Sequence, residues 1–139
     1  MSDIRLRRTL VEEMQAHARD AAPEECCGLL GGHGREAASL YRLRNVAHAP
    51  ALAYDVAPEE LFLAQRRMRG RGETLVAIYH SHPRSQDPAP SASDVRLAFY
   101  PSAIYFIIGF DAAGECVLRA FRIYEREGRF EHAAFEAVE

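Results

Sequence analysis

Thr74-Leu75-Val76-Ala77-Ile78-Tyr79-His80-Ser81-His82-Pro83 is the stretch on which the reading of the fold turns. From Leu75 to Tyr79 there is no polar alternation, only aliphatic residues closed by one aromatic. A strand with one wet face would alternate, so this one is predicted to be buried on both faces of a sheet. Two imidazoles follow at a spacing of two. In an extended chain residues two apart share a face, so His80 and His82 project together while Ser81 points away. The strand therefore predicts a sheet covered by other layers and a histidine pair delivered at the strand's carboxyl end.

The neighbouring segments supply those layers. Ile4 and Leu6 alternate with Arg5 and Arg7 as a short strand, and Thr9 with Glu12 three residues on predicts a capping box opening a helix. Leu10, Val11, Met14 and Ala18 form that helix's apolar stripe, and Pro23 forbids its continuation. Cys26 to Leu30 is a wholly apolar run, as in a central strand, and the glycines at 31, 32 and 34 are expected to turn the chain. A second strand is expected over about Ala38 to Val46, followed by irregular chain from Ala47 to Asp55. Pro58 at a first helical position, Glu59 and Glu60 in the first turn, and Arg66, Arg67 and Arg69 before Gly70 match a helix dipole at both ends.

Beyond Pro83 the Pro-rich run to Pro90 reads as a loop. Ser93 is expected to cap a short helix reaching Tyr100, stopped by Pro101, and Ala103 to Phe110 and Glu115 to Tyr124 flank Asp111-Ala112-Ala113-Gly114 as a hairpin. The residues after Tyr124 carry no decisive pattern. Strands interleaved with three helices give an α/β (α+β) class: one mixed central sheet flanked by helices, with residues 1–139 forming a single domain.

Composition narrows the function classes. A chain of 139 residues can bury about two thirds of its unfolded surface in one core. The net charge of -3 argues against nucleic acid or membrane as a partner, and all 17 basic residues are Arg, which bears on no site. No signal-like segment follows Met1, and the longest apolar run, Ala103 to Phe110, is less than half a membrane span, so the protein is expected in the cytoplasm. The three cysteines, Cys26, Cys27 and Cys116, lack C-x-x-C spacing and suit a reducing compartment.

His80, His82 and Asp94 together offer what a hydrolytic zinc ion requires: two nitrogens and one oxygen, leaving a fourth tetrahedral corner open. Such an ion lowers the pKa of water toward about 7. Hydrolysis then needs a base that is not itself tied to the metal, and Glu25, at the mouth of the strand Cys26 to Leu30, fills that role if the strand lies beside Thr74 to His82.

These residues resemble the JAMM or MPN-plus metalloproteases, whose pattern is a Glu shortly before a buried Gly-Leu strand, then H-S/T-H-P, a spacer, and S-x-x-D. This chain reads Glu25-Cys26-Cys27-Gly28-Leu29-Leu30, His80-Ser81-His82-Pro83 and Ser91-Ala92-Ser93-Asp94. The order of strands and helices also looks like the stand-alone bacterial members, so the resemblance implies one MPN-like domain. Residue by residue it implies His80, His82 and Asp94 as ligands of one catalytic zinc ion, Glu25 as general base and acid, and Ser91 as the hydroxyl that steadies the oxyanion. It further implies a protease or isopeptidase whose partner is a ubiquitin-like or sulfur-carrier protein with a flexible C-terminal tail, from whose end an amino acid such as cysteine is released. One departure stands out, since seven residues separate Pro83 from Ser91 where the pattern usually has six. A bulge in the Pro-rich loop is expected to absorb it.

Blander readings compete. Asp87 is the alternative oxygen ligand but reads as a solvated loop residue. Glu24 competes with Glu25, and only the -x-x-Gly-Leu context favours the latter. Cys26 and Cys27 read as core, a Cys27–His82 nucleophilic pair lacks an orienting third group, and His17, His33, His48 and His132 read as surface or turn residues. The H-x-E and P-C-x-x-C of zinc deaminases are absent. The rival from another class is a non-catalytic MPN-type protein-binding scaffold, which has no need of the ligand set.

Overall fold

The computed structural model describes residues 2–96, 98 and 100–139. Eight strands form one mixed sheet: β1 (Ile4–Arg7), β2 (Cys27–His33), β3 (Glu36–Leu43), β4 (Thr74–Ser81), β5 (Ile104–Phe110), β6 (Cys116–Tyr124), β7 (Arg129–His132) and β8 (Phe135–Val138). Their spatial order is β7-β6-β5-β4-β2-β3-β1-β8. The hairpin β2–β3 is antiparallel, β2 also pairs antiparallel with β4, and β4 runs parallel to β5. Parallel neighbours need a crossover, and the chain from His82 to Ala103 provides it, carrying the short helix α3 (Ala92–Arg96).

A central strand buried on both faces must be covered twice. Helix α1 (Arg8–Ala21) lays Leu10, Met14 and Ala18 on one face, where they meet Leu30, Ala77, Tyr79, Phe106 and Ile108. Helix α2 (Pro58–Gly70) lays Ala64 and Met68 on the other, with Cys27, Leu29, Ile78, Tyr105 and Ile107. The register of β2 on β4 slips between Leu30 and Gly31, leaving Val76 bulged; beyond the slip Ala77, Tyr79 and Ser81 share the α1 face, while Ile78 and His80 face α2. The α2 face is where the chemistry collects. Among the described residues no helix is long and apolar enough to cross a membrane.

Several local expectations are corrected. β1 runs straight into α1, so the helix opens at Arg8 with Arg7 in the cap position and no side-chain cap bond; Thr9 falls inside the first turn and the Thr9–Glu12 capping box does not form. Gly31 and Gly32 lie within β2, and the turn is made further on, at Gly34 and Arg35. β3 begins two residues before and ends three residues short of the expected stretch, and past Leu43 the Arg44 N–H donates to the Glu60 carboxylate (2.6 Å) and the Val46 N–H to the Asp55 carbonyl (2.9 Å). His17 is not a surface residue: it lies buried on α1, its Nδ1 2.7 Å from the Tyr79 hydroxyl. The helix expected to reach Tyr100 ends at Arg96; positions 97 and 99 of that stretch lie outside the described residues. The final segment, undecided from sequence, forms β7 on β6 and β8 on β1, closing both sides of the sheet.

Candidate metal-dependent active site

Antiparallel pairing of β2 with β4 sets Cys27 opposite His80. One step further the strands are locked by Ser81, whose N–H donates to the Cys26 carbonyl (3.1 Å) and whose buried Oγ accepts the Cys26 N–H (2.8 Å). Continuing the register brings Glu25 level with His82. Because Glu25 has the same parity as Cys27, its side chain turns to the α2 face, the face of His80. Sequence reasoning needed this pairing as an assumption, and the structure supplies it.

Beyond Ser81 the chain is held against β5: the His82 N–H donates to the Ile108 carbonyl (2.8 Å), the Ser85 N–H to the His82 carbonyl (3.0 Å) and the Phe110 N–H to the Ser85 carbonyl (2.9 Å). Gly109 permits this approach, since a Cβ there would stand 2.2 Å from the Ser85 oxygen. The first turn of the Pro-rich loop is thus anchored on β5, and the loop returns to α3. There Ser91, not Ser93, closes a capping box: its N–H donates to Asp94 Oδ2 (2.8 Å) while its Oγ accepts the Asp94 N–H (3.1 Å). This spends one lone pair of the Ser91 hydroxyl and leaves its hydrogen free to donate. Asp87 stays outside, 88% exposed and 3.6 Å from Arg119.

Three side-chain atoms converge. His80 Nε2 lies 3.1 Å from His82 Nε2, and Asp94 Oδ2 lies 3.1 Å and 3.0 Å from the two nitrogens. Tetrahedral ligands at zinc distances of about 2.0–2.1 Å stand about 3.3 Å apart, so this triangle is close to what such an ion would draw together. Glu25, His80 and His82 also present ligand atoms within 4.8 Å of one another. Among the described residues Glu25 Oε1, which is buried, has no hydrogen-bond partner. Lone pairs packed this closely away from water repel one another and are costly unless a proton or a cation joins them, and the donor set of two imidazoles and carboxylates suits zinc.

The electrostatics follow from burial and proximity. Burial opposes the Asp94 charge, but hydrogen bonds from His80 and His82 overcome it and hold the carboxyl well below its usual range. Complete burial lowers the pKa of His80, favouring the neutral ring. Burial also acts against a charged His82, yet the adjoining Asp94 raises its pKa on balance. Loss of solvent raises the Glu25 carboxyl to about 7, where it can take and return a proton near neutrality.

Two contributors carried no signal in sequence that was read as functional. Tyr54 stacks on His80 with ring centroids 4.5 Å apart and planes inclined by 29°, and beside it a cavity of about 230 Å³ opens, walled by Cys27, Leu29, Ile78 and Tyr105. Asn45 ties together the loop that carries Tyr54. An Asn at a strand end ahead of an irregular segment is the usual mark of a side chain that organises a turn, and that cue was available.

A family profile described as "Prokaryotic homologs of the JAB domain" matches residues 7–124. A protein of Haloferax volcanii named "Desampylase" is 37% identical over 106 residues, covering 72% of this chain and 76% of that one. The "CysO-cysteine peptidase" of Mycobacterium tuberculosis is 34% identical over 122 residues, covering 86% of this chain and 82% of its own. Among solved structures, a protein of Desulfitobacterium hafniense superposes with a TM-score of 0.81 at 36% identity, covering 98% of this chain and 95% of that one. A JAB1/MPN domain protein of Archaeoglobus fulgidus shares the fold with a TM-score of 0.63 at 20% identity, covering both chains fully (100% each).

Proposed function

This chain belongs to the family of prokaryotic homologues of the JAB domain, and from that premise we propose that it is a zinc-dependent metallopeptidase hydrolysing a peptide or isopeptide bond at the C-terminal tail of a ubiquitin-like or sulfur-carrier protein. The observation that carries the proposal is the triangle of His80 Nε2, His82 Nε2 and Asp94 Oδ2 with edges of 3.0–3.1 Å, formed beside the buried, partnerless Glu25 Oε1. In this reading those three residues hold one zinc ion, and residues 1–139 act as one JAMM/MPN-like domain. The names of the relatives, one for removing a conjugate and one for a carrier-cysteine peptidase, support the substrate class.

When bound, the ion supplies Lewis acidity that polarises the scissile carbonyl and acidifies water toward a pKa of about 7. Glu25 accepts a proton from the attacking water at a carboxylate oxygen. It returns that proton to the nitrogen that leaves as the C–N bond breaks, so one water is consumed and Glu25 ends as it began. Ser91, whose Oγ accepts from the Asp94 N–H, keeps its hydroxyl hydrogen for the oxygen on which negative charge develops. Asp94 and the strand β4 keep both imidazoles aimed, Nε2 first. Three unpaired cysteines, two of them buried, suit a reducing compartment, and we place the reaction in the cytoplasm.

The test is an assay of purified protein against candidate sulfur-carrier proteins bearing short C-terminal extensions, read by mass spectrometry. A tail shortened at one bond, blocked by chelation and absent in Glu25→Gln, is the expected result. A folded protein that binds such a carrier but leaves it intact with zinc supplied would return the chain to the scaffold reading.

A further inference from the structure

Between β3 and α2, residues 44–57 form no regular element, and a structureless loop of that length in a small domain usually serves the site. What this loop serves is Glu25. Neither backbone group of Glu25 enters the sheet ladder: its N–H donates to the Pro50 carbonyl (2.8 Å), and its carbonyl accepts from Asn45 Nδ2 (2.9 Å). Asn45 Nδ2 also donates to the carbonyls of Pro50 (3.2 Å) and Ala53 (3.0 Å), while its Oδ1 accepts the N–H groups of Ala47 (3.0 Å) and Asp55 (3.1 Å). An amide side chain has two hydrogens and two acceptor lone pairs, so the three carbonyls share two hydrogens, one of them bifurcated, and the whole capacity of Asn45 is engaged. The Val46 N–H closes the loop on the Asp55 carbonyl at 2.9 Å, and between Ala53 and Asp55, both gripped by Asn45, stands Tyr54 on the ring of His80.

Burying a carboxylate with an unpartnered oxygen costs free energy, and a backbone anchored at both its N–H and its carbonyl narrows the positions that carboxylate can take. We propose that Asn45 is the positioning residue of this site: clamping the Glu25 carbonyl from the loop side, it fixes the Glu25 carboxylate against His80 and His82 and, through Ala53 and Asp55, seats Tyr54 on His80. This rests on the hydrolase reading for its kinetic consequence but not for its structural one.

Asn45→Ala is the sharper variant, because it removes the donors and the acceptor without adding charge; Asn45→Asp keeps the acceptor for Ala47 and Asp55 but turns a carboxylate oxygen onto the carbonyls of Glu25, Pro50 and Ala53. Each is compared in kcat, KM, zinc content and crystal structure. Misplacing a catalytic group by about 1 Å costs about 10–100-fold, so kcat should fall by that factor with KM little changed and zinc retained. In crystals of Asn45→Ala the Glu25 carboxylate should have left the two histidines. Undiminished kcat in Asn45→Ala, a kcat loss matched by lost zinc or folded fraction, or an unmoved Glu25 in the crystal would each overturn the proposal. An inactive wild type would instead sink the hydrolase reading, while the crystal comparison still decides the role of Asn45.

Discussion

Removing the buried carboxylate of Glu25 should make the metal-free protein more stable, increasingly so as pH rises from 5 to 8. Glu25 is 6% exposed and its Oε1 has no partner, and loss of solvent raises its pKa from 4.5 to about 7. The folded state therefore holds the proton more tightly than the unfolded chain does. As pH rises above 4.5 the unfolded chain ionises first, so native stability falls until the folded carboxyl also ionises near 7, after which the loss is constant. At about 1.4 kcal/mol per pH unit over that interval, ionised Glu25 costs about 3 kcal/mol at pH 8 and about 1 kcal/mol at pH 5. Gln is uncharged throughout. Urea unfolding of chelator-treated wild type and Glu25→Gln should thus show an advantage for the variant that is larger at pH 8 than at pH 5 by about 2 kcal/mol. Saturating zinc should shrink it, because a neighbouring cation favours the ionised form. A difference that does not change with pH, or a variant less stable at pH 8, would refute the reasoning.

Tyr79→Phe removes the hydroxyl that meets buried His17, so we expect a loss of about 1–3 kcal/mol in unfolding free energy with zinc content unchanged, since Tyr79 faces away from His80 and the proposed zinc site. Ser91→Ala removes the cap of α3 and the proposed oxyanion donor together: about 1 kcal/mol of stability and about 100-fold in kcat, measured by denaturation and by turnover. Gly109→Ala sets a Cβ 2.2 Å from the Ser85 carbonyl, which must shift; about 1–3 kcal/mol of destabilisation and weaker zinc affinity should follow, because Ser85 anchors the loop joining His82 to Asp94.

The sequence made the site legible where chemistry is local. The H-x-H spacing on an apolar run required one face, and the resemblance implied Asp94 as their companion through S-x-x-D; the structure brings His80, His82 and Asp94 to one point. The sheet with helices on both faces was equally readable from the runs at Cys26 and Thr74. What sequence could not carry was determined by partners far along the chain. The Thr9 capping box lost to a strand that enters its helix without a gap. His17 reads as a surface residue until Tyr79, which lies across the uncluttered face of Gly28, brings a hydroxyl to it. Ser93 read as the cap of α3, and the hydrogen bonds between Ser91 and Asp94 give that place to Ser91. Tyr54 and Asn45 lie in a loop without periodicity, and their roles come from Glu25 and His80, residues brought near only by folding.

If His80, His82 and Asp94 hold the metal while Glu25 stands free beside it, zinc content across variants will separate the three from the fourth. After dialysis against zinc and gel filtration, wild type and Glu25→Gln should each carry about one zinc per chain, and His82→Ala and Asp94→Ala should carry almost none. Zinc lost from Glu25→Gln, with Asp94→Ala still loaded, would contradict the account and make Glu25 the third ligand.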